Sequence, residues 1–258
     1  MNEIPNISQT TAMGSNNTQI GFQYNHEEHH HSGLSVTDAT VMALEIFRQY
    51  FPQLQKEAQE SLRIMLDEEL TKRAPQQINP PSARIALPTL QGASVSDEED
   101  VRRLYASLLA SSMDNTTCRQ AHPAFARIID QMNSFDARLL KRIAEINDNI
   151  PVATIKITNG QQYYPAAMPR FYGMVFDDFG DNWGVSFSIE NLARLQIINI
   201  HDGMIKSFDY NQFKTCSFAV ERHKIFQGYH KDKELKVEVS NHAIEITDFG
   251  KQFITLCV

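Results

Sequence analysis

Arg194 and His201 stand with six residues between them, a spacing at which a guanidinium could steady charge on a phosphate while an imidazole moves a proton. That would be the chemistry of a ribonuclease toxin. Such a pair works from one helix, whereas here the arginine falls on a predicted short helix and the histidine beyond a predicted strand. With nine histidines in the chain, one pair at this spacing is expected by chance. A second cluster, His26, Glu27, Glu28, His29, His30 and His31, offers nitrogen and oxygen ligands for a divalent ion. Four histidines crowded into six positions cannot all face one ion from a regular element, and polar tails carry such runs. Asp177, Asp178 and Asp181 could ligate Mg²⁺ or Ca²⁺, but a glycine-bearing acidic loop is ordinarily a turn. His122 precedes Pro123 at a helix start, where capping or packing is its reading. The chain has no glycine-rich phosphate loop, no G-x-S-x-G and no H-E-x-x-H. It reads as non-enzymatic, with no cofactor and no metal.

Two further sets bear on binding. Asn191, Arg194 and Gln196 lie on a helix predicted over 188–196 and could contact base edges or phosphates, but Glu190 opposes the single full positive charge. The following segment, His201 to Lys206, adds one lysine and one aspartate and makes no basic wing. A formal charge of −7 and a pI near 5.7 also oppose a protein built to neutralise phosphates. The other set is aromatic: Tyr163, Tyr164, Phe171, Tyr172 and Trp183, with Phe176 and Phe179, fall in or beside a long loop. Such a loop can present a protein-contact surface or simply cover a core. A protein partner or self-association is therefore expected ahead of nucleic acid.

Composition sets the frame for these sets. With 258 residues, 42% apolar and 9% aromatic, the chain can bury sizeable cores. No run approaches the ~20 apolar residues that span a bilayer, and the N-terminus lacks a basic segment followed by an apolar one. Cys118, Cys216 and Cys257 are far apart and in no metal-binding or disulfide spacing. The expected location is the cytoplasm.

The elements that position these residues fall into three parts. Residues 1–33 are rich in Asn, Ser, Thr and Gln and read as a disordered tail. Residues 34–147 read as a helical domain. Its helices are predicted from Ser35 to Tyr50, past Pro52 to Leu66, through a Pro88-kinked segment, and from a Ser96–Glu99 capping box along Val101, Leu104, Tyr105, Leu108, Leu109 and Met113. Two more follow, after His122-Pro123 and from a cap at Ser134. Residues 148–258 change character, with a strand at 152–157, a loop over 159–185 and a short helix capped by Ser188. A strand follows at 197–200, then a hairpin of 235–239 with 244–246 turning at Ser240–His242, then a terminal helix from Thr247 or Asp248. The fold class is α+β: an N-terminal helical bundle followed by a small winged-helix-like domain.

The segment from Pro80 to Ile143 carries L-Y-A-S-L-L-A at Leu104 to Ala110, H-P-A-F at His122 to Phe125, and S-F-D-A-R-L-L at Ser134 to Leu140. Further on lie S-I-E-N-L-A-R-L-Q-I-I at Ser188 to Ile198 and the closing I-E-I-T-D-F-G-K-Q-F-I-T-L-C. In these pieces the chain resembles the Abi-alpha (abortive infection alpha) family, a domain of unknown function, from about residue 80 to the C-terminus. Asp248 stands where the family pattern has proline, and both suit the first turn of a helix. The resemblance implies a role in bacterial defence against phage and carries over no catalytic residue.

Overall fold

The backbone alternates helices with three strands drawn from distant parts of the sequence. The structure, a computed structural model, describes residues 35–38, 40–41, 56–164 and 167–258. The His-rich run therefore lies outside the described residues, as does most of the first predicted helix. Helices α1 (Lys56–Thr71), α2 (Ala83–Val95), α3 (Glu99–Met113), α4 (Ala124–Ile129) and α5 (Ser134–Ile146) come first. Strand β1 (Ile150–Thr158), helix α6 (Asn182–Arg194) and strand β2 (Ile198–Asp202) follow. The chain closes with α7 (Gln212–Thr215), α8 (Ser217–Tyr229), β3 (Lys236–Ile246) and α9 (Asp248–Cys257). The fold is α+β, mainly helical with one small antiparallel sheet.

Helix α3 is the axis of the helical part. Val101, Leu104, Tyr105, Leu108, Leu109 and Met113 are buried along it, the stripe that a helical period gives to one face and more. Small residues on its other sides, Ala106, Ala110, Ser107 and Ser111, are buried as well, so helices pack close around it. At Gly92 of α2 a Cβ would overlap the Tyr105 ring, and the Tyr105 hydroxyl donates to Asp130. Pro88 sits inside α2, as its sequence suggested.

Caps differ from expectation in three places. Ser96 ends α2, its N–H donating to Gly92, so it is already engaged when α3 begins; Glu98 is the N-cap instead. The Glu98 carboxylate accepts from the Ser134 N–H across the bundle. Helix α5 is capped by Asn133, which forms a reciprocal box with Asp136, rather than by Ser134. Ser188 lies buried inside α6, which starts six residues earlier where Asp181 accepts from the Trp183 and Gly184 N–H groups.

The sheet order is β1-β3-β2, all antiparallel. The hairpin expected at Ser240–His242 does not form. Asn241 and His242 carry no positive φ, which a tight hairpin turn needs, and each residue of the segment has a partner. Ser240 faces Thr154, Asn241 faces Ala153, and His242 lies between Val152 and Asp202. Residues 236–246 are thus one strand serving two neighbours. One face of the sheet places Val152, Ile198, Ile244 and Ile246 in a large core with α3, α5, α6 and α9. The other puts Ala153, Ile155 and Ile157 against Tyr172, Phe213 and Ala219 in a smaller core. Helices α7 and α8 supply that second cover.

Helix α9 leaves β3 at once and seats on the corner before β2. The Thr247 hydroxyl donates to Gln196 and accepts from the Gly250 N–H, and the Thr247 N–H donates to Ile197. Gln196 takes a φ of 61° at this corner. Phe253 then meets Phe125 edge to face at 5.3 Å.

A Cβ at Gly250 would overlap the Ile197 carbonyl. Gly250→Ala should therefore cost about 3 kcal/mol, read as a lower urea midpoint at unchanged slope. Gly228→Ala in α8, where the added carbon meets nothing, should stabilise by about 0.5 kcal/mol. Burial, reinforced by the Asp130 and Asp177 carboxylates, also pushes the phenols of Tyr105 and Tyr172 up. The folded state keeps both neutral while the unfolded chain ionises near pH 10, so their contribution holds below that pH and is lost above it. A fall in stability above pH 10, with these two phenolates absent from the native absorbance titration, is the expected result.

Candidate functional site

Helix α6 presents one stripe outward. Trp183, Phe187, Glu190 and Arg194 follow at spacings of four, three and four, the sequence of one helix face. Its N-terminal half is aromatic and its C-terminal half is charged, and each half borders a different feature.

The charged half roofs a cleft of about 500 Å³ over the sheet. Thr154 and Lys156 of β1, Ser240 and His242 of β3, and Ile200 and Asp202 of β2 form the floor. Glu190, Ala193 and Arg194 of α6, with Arg170 and Phe171, complete it. These floor residues share the face that buries Val152 and Ile244, so the cleft is where that face runs past its helical cover.

Within the cleft one residue from each strand joins a hydrogen-bonded chain. Asp202 Oδ1 lies 2.8 Å from His242 Nδ1, and His242 Nε2 lies 3.1 Å from Thr154 Oγ1. A carboxylate only accepts, so Nδ1 carries a proton; in the neutral ring Nε2 then accepts from the threonine hydroxyl. The imidazole is 14% exposed and the carboxylate 95%. Phe171 holds the ring edge to face at 5.5 Å. Nearby, Arg170 pairs with Glu190 at 3.0 Å. Lys156 makes no ion pair among the described residues and lies 5.8 Å from the Tyr163 ring.

Residues picked out by sequence divide between structural and exposed positions. Asn191 donates to the Gln131 carbonyl and to buried Asp136 at 2.8 Å. Arg194 donates twice to Asn191 Oδ1 and once to Gln131 Oε1, while Gln196 donates to the Ala193 carbonyl at the α6 terminus. His201 projects from the opposite face of β2 and pairs with Glu245 at 3.0 Å. Arg194 borders the cleft and His201 does not, so the two do not address one phosphate. His122 Nδ1 accepts from the Ala124 N–H, a capping role. The three loop aspartates are each engaged: Asp177 accepts from Tyr172, Asp178 pairs with Arg142, and Asp181 caps α6.

Of the aromatic set, Phe171 and Tyr172 are buried. Tyr164 lies tilted against the His230 ring at 4.6 Å, with a buried hydroxyl that finds no partner among the described residues. Tyr163 and Trp183 reach the surface. Trp183 meets Phe218 of α8 at 5.9 Å, and the Arg222 guanidinium covers its ring at 5.1 Å. Phe187, one turn on, is 70% exposed. Ile225 and Tyr229 continue the flank of α8 two and three turns beyond Phe218 and are exposed.

A family model described as Abortive infection alpha matches residues 54–257. No curated protein matches. A solved structure of an uncharacterized protein from the hydrocarbon-degrading marine bacterium Alcanivorax borkumensis SK2 aligns over 55% of this chain and 94% of its own, at 15% identity and a TM-score of 0.32. That likeness is too slight to define a shared fold.

The Asn133–Asp136–Asn191 group joins two of the sequence motifs that lie 55 residues apart. Asp136→Ala removes a buried acceptor, leaving the Asn133 N–H and the Asn191 amide short of a partner, and should cost about 2–3 kcal/mol. Chemical denaturation measures it; a change below about 0.5 kcal/mol would show that water replaces the carboxylate.

Proposed function

The chain belongs to the abortive infection alpha family, and from that premise we propose that it is a bacterial anti-phage protein working through contact with another protein or a second copy of itself. The family name supplies the setting, abortive infection. The mode of action rests on one observation, the exposed aromatic face where α6 and α8 meet.

Large apolar side chains left in water on a folded protein mark contact surfaces when they are contiguous. Trp183 and Phe187 are one turn apart, and Trp183 touches Phe218. Aromatic residues with arginine, here Arg222 lying on Trp183, are the composition enriched at the centres of interfaces. Operator-type DNA binding draws less support, because Asn191 and Arg194 already bond within the protein and the chain is net acidic. A ribonuclease acting through Arg194 and His201 lacks support for the geometric reason given above. A cytoplasmic setting belongs to the same proposal, consistent with three free cysteines. Among the described residues no helix is long and apolar enough to cross a membrane.

Phe187→Glu places a charge on that face without touching a buried side chain. It should leave the unfolding midpoint within about 0.5 kcal/mol of the parent and abolish protection in a phage challenge of cells carrying the gene. Chemical crosslinking during infection, with and without the substitution, identifies the contact. Full protection by the variant would refute the assignment of this face.

A further inference from the structure

We infer that the cleft between the sheet and the C-terminal half of α6 binds a small phosphate ester, held by Lys156 and Arg194 with the Thr154, Ser240 and His242 side chains around them. The inference stands apart from the aromatic face and does not need it.

Charge inside the cleft is unlike that of the whole chain. Lys156, Arg170 and Arg194 face Glu190 and Asp202 there. Glu190 is matched by Arg170 at 3.0 Å, and Asp202 is engaged by His242 at 2.8 Å. Two cations remain without a carboxylate among the described residues. Lys156 has none within ion-pair distance, and Arg194 bonds only the amide oxygens of Asn191 and Gln131. A guanidinium has five N–H donors; three are used, which leaves two. Those bonds also fix the guanidinium plane, so little side-chain freedom is lost when an anion arrives.

The neutral groups suit the same ligand. The Ser240 hydroxyl lines the floor as a donor beside a rigid cation and a mobile one, while Thr154 and His242, bonded to each other and, through the imidazole, to Asp202, form a fixed polar base beneath it. The Lys156 ammonium, the two remaining Arg194 N–H groups and the Ser240 hydroxyl match the three terminal oxygens of a phosphate monoester better than the two of a carboxylate. The roughly 500 Å³ of space falls within the range of small-molecule sites and exceeds what bare phosphate fills. Phe171 offers an apolar wall for the organic part.

Isothermal titration of the full chain with AMP, ribose 5-phosphate, adenosine and inorganic phosphate tests this. Saturable binding of at least one ester is expected, with adenosine silent and inorganic phosphate weaker. Lys156→Met should weaken the ester at least tenfold. Glu190→Gln frees Arg170 and removes a negative charge, so it should tighten binding about threefold. A merely structural effect would not produce that opposite pair of shifts, and thermal unfolding of both variants checks that they fold. Absence of saturable ester binding, equal affinity for adenosine or for inorganic phosphate, or indifference to Lys156→Met in a folded variant would each overturn the inference.

Discussion

The sheet and the cleft on it depend on β3 pairing with two strands at once. Its register sets Ser240 against Thr154, and His242 against both Val152 and Asp202. Because side chains alternate across a strand, a slip of one residue on either edge would turn the histidine away from one partner and expose Val152 or Ile198. Burial of those residues in the larger core therefore holds the polar chain in register. Apolar packing at one end of a sheet face positions hydrogen bonds at the other. The strands are far apart in sequence, with β1 and β3 flanking three helices and β2, so the sheet rests on non-local pairing.

The second constraint is the corner at Gln196–Ile197, where α6 ends, β2 begins and α9 rests. Gly250 permits the helix to approach the Ile197 carbonyl, and Thr247 bonds both carbonyls of the corner. Since β3 runs directly into α9, fixing α9 also fixes the end of the central strand. The larger core crosses residue 147 without interruption, taking in Leu104, Leu140, Val152, Ile189 and Phe253 alike. Motif residues serve this assembly: Asp136 and Asn191 join α5 to α6, and Phe125 of the H-P-A-F step packs on Phe253.

Local patterns made the helices legible. The α3 stripe, Pro88 within α2, the start of α4 and the Thr247 cap all follow from spacing and capping chemistry. Errors arose where two residues competed for one local role. Ser96, Ser134 and Ser188 each resemble an N-cap, yet Glu98, Asn133 and Asp181 hold those positions. Valine and isoleucine on both sides of Ser240–Asn241–His242 look like a hairpin, because the partners that keep the strand straight lie about 40 and 90 residues upstream. The same non-locality hid the cleft. Thr154, Asp202 and His242 carry no mutual spacing signal, and only the sheet brings them together. Arg194 was visible as a charged helix residue, but its neighbours Gln131 and Asn191 were not legible as its anchors.

Charge placed at two scales explains how one acidic chain can hold an anion. At physiological ionic strength a surface charge is screened beyond about 8 Å, so the charges lining the cleft, rather than the net −7 of the chain, set the field that a small anion meets there. A duplex or long single strand presents many phosphates to a chain of net negative charge and gains from only the few that reach Lys156 and Arg194. A small ester presents one group, and its remaining bulk fits beside Phe171. The stripe on α6 then places this selective recess and the exposed aromatic face on one rigid helix, with Glu190 following Phe187 by three residues. Their separation is set by helix geometry alone, and no hinge intervenes between them.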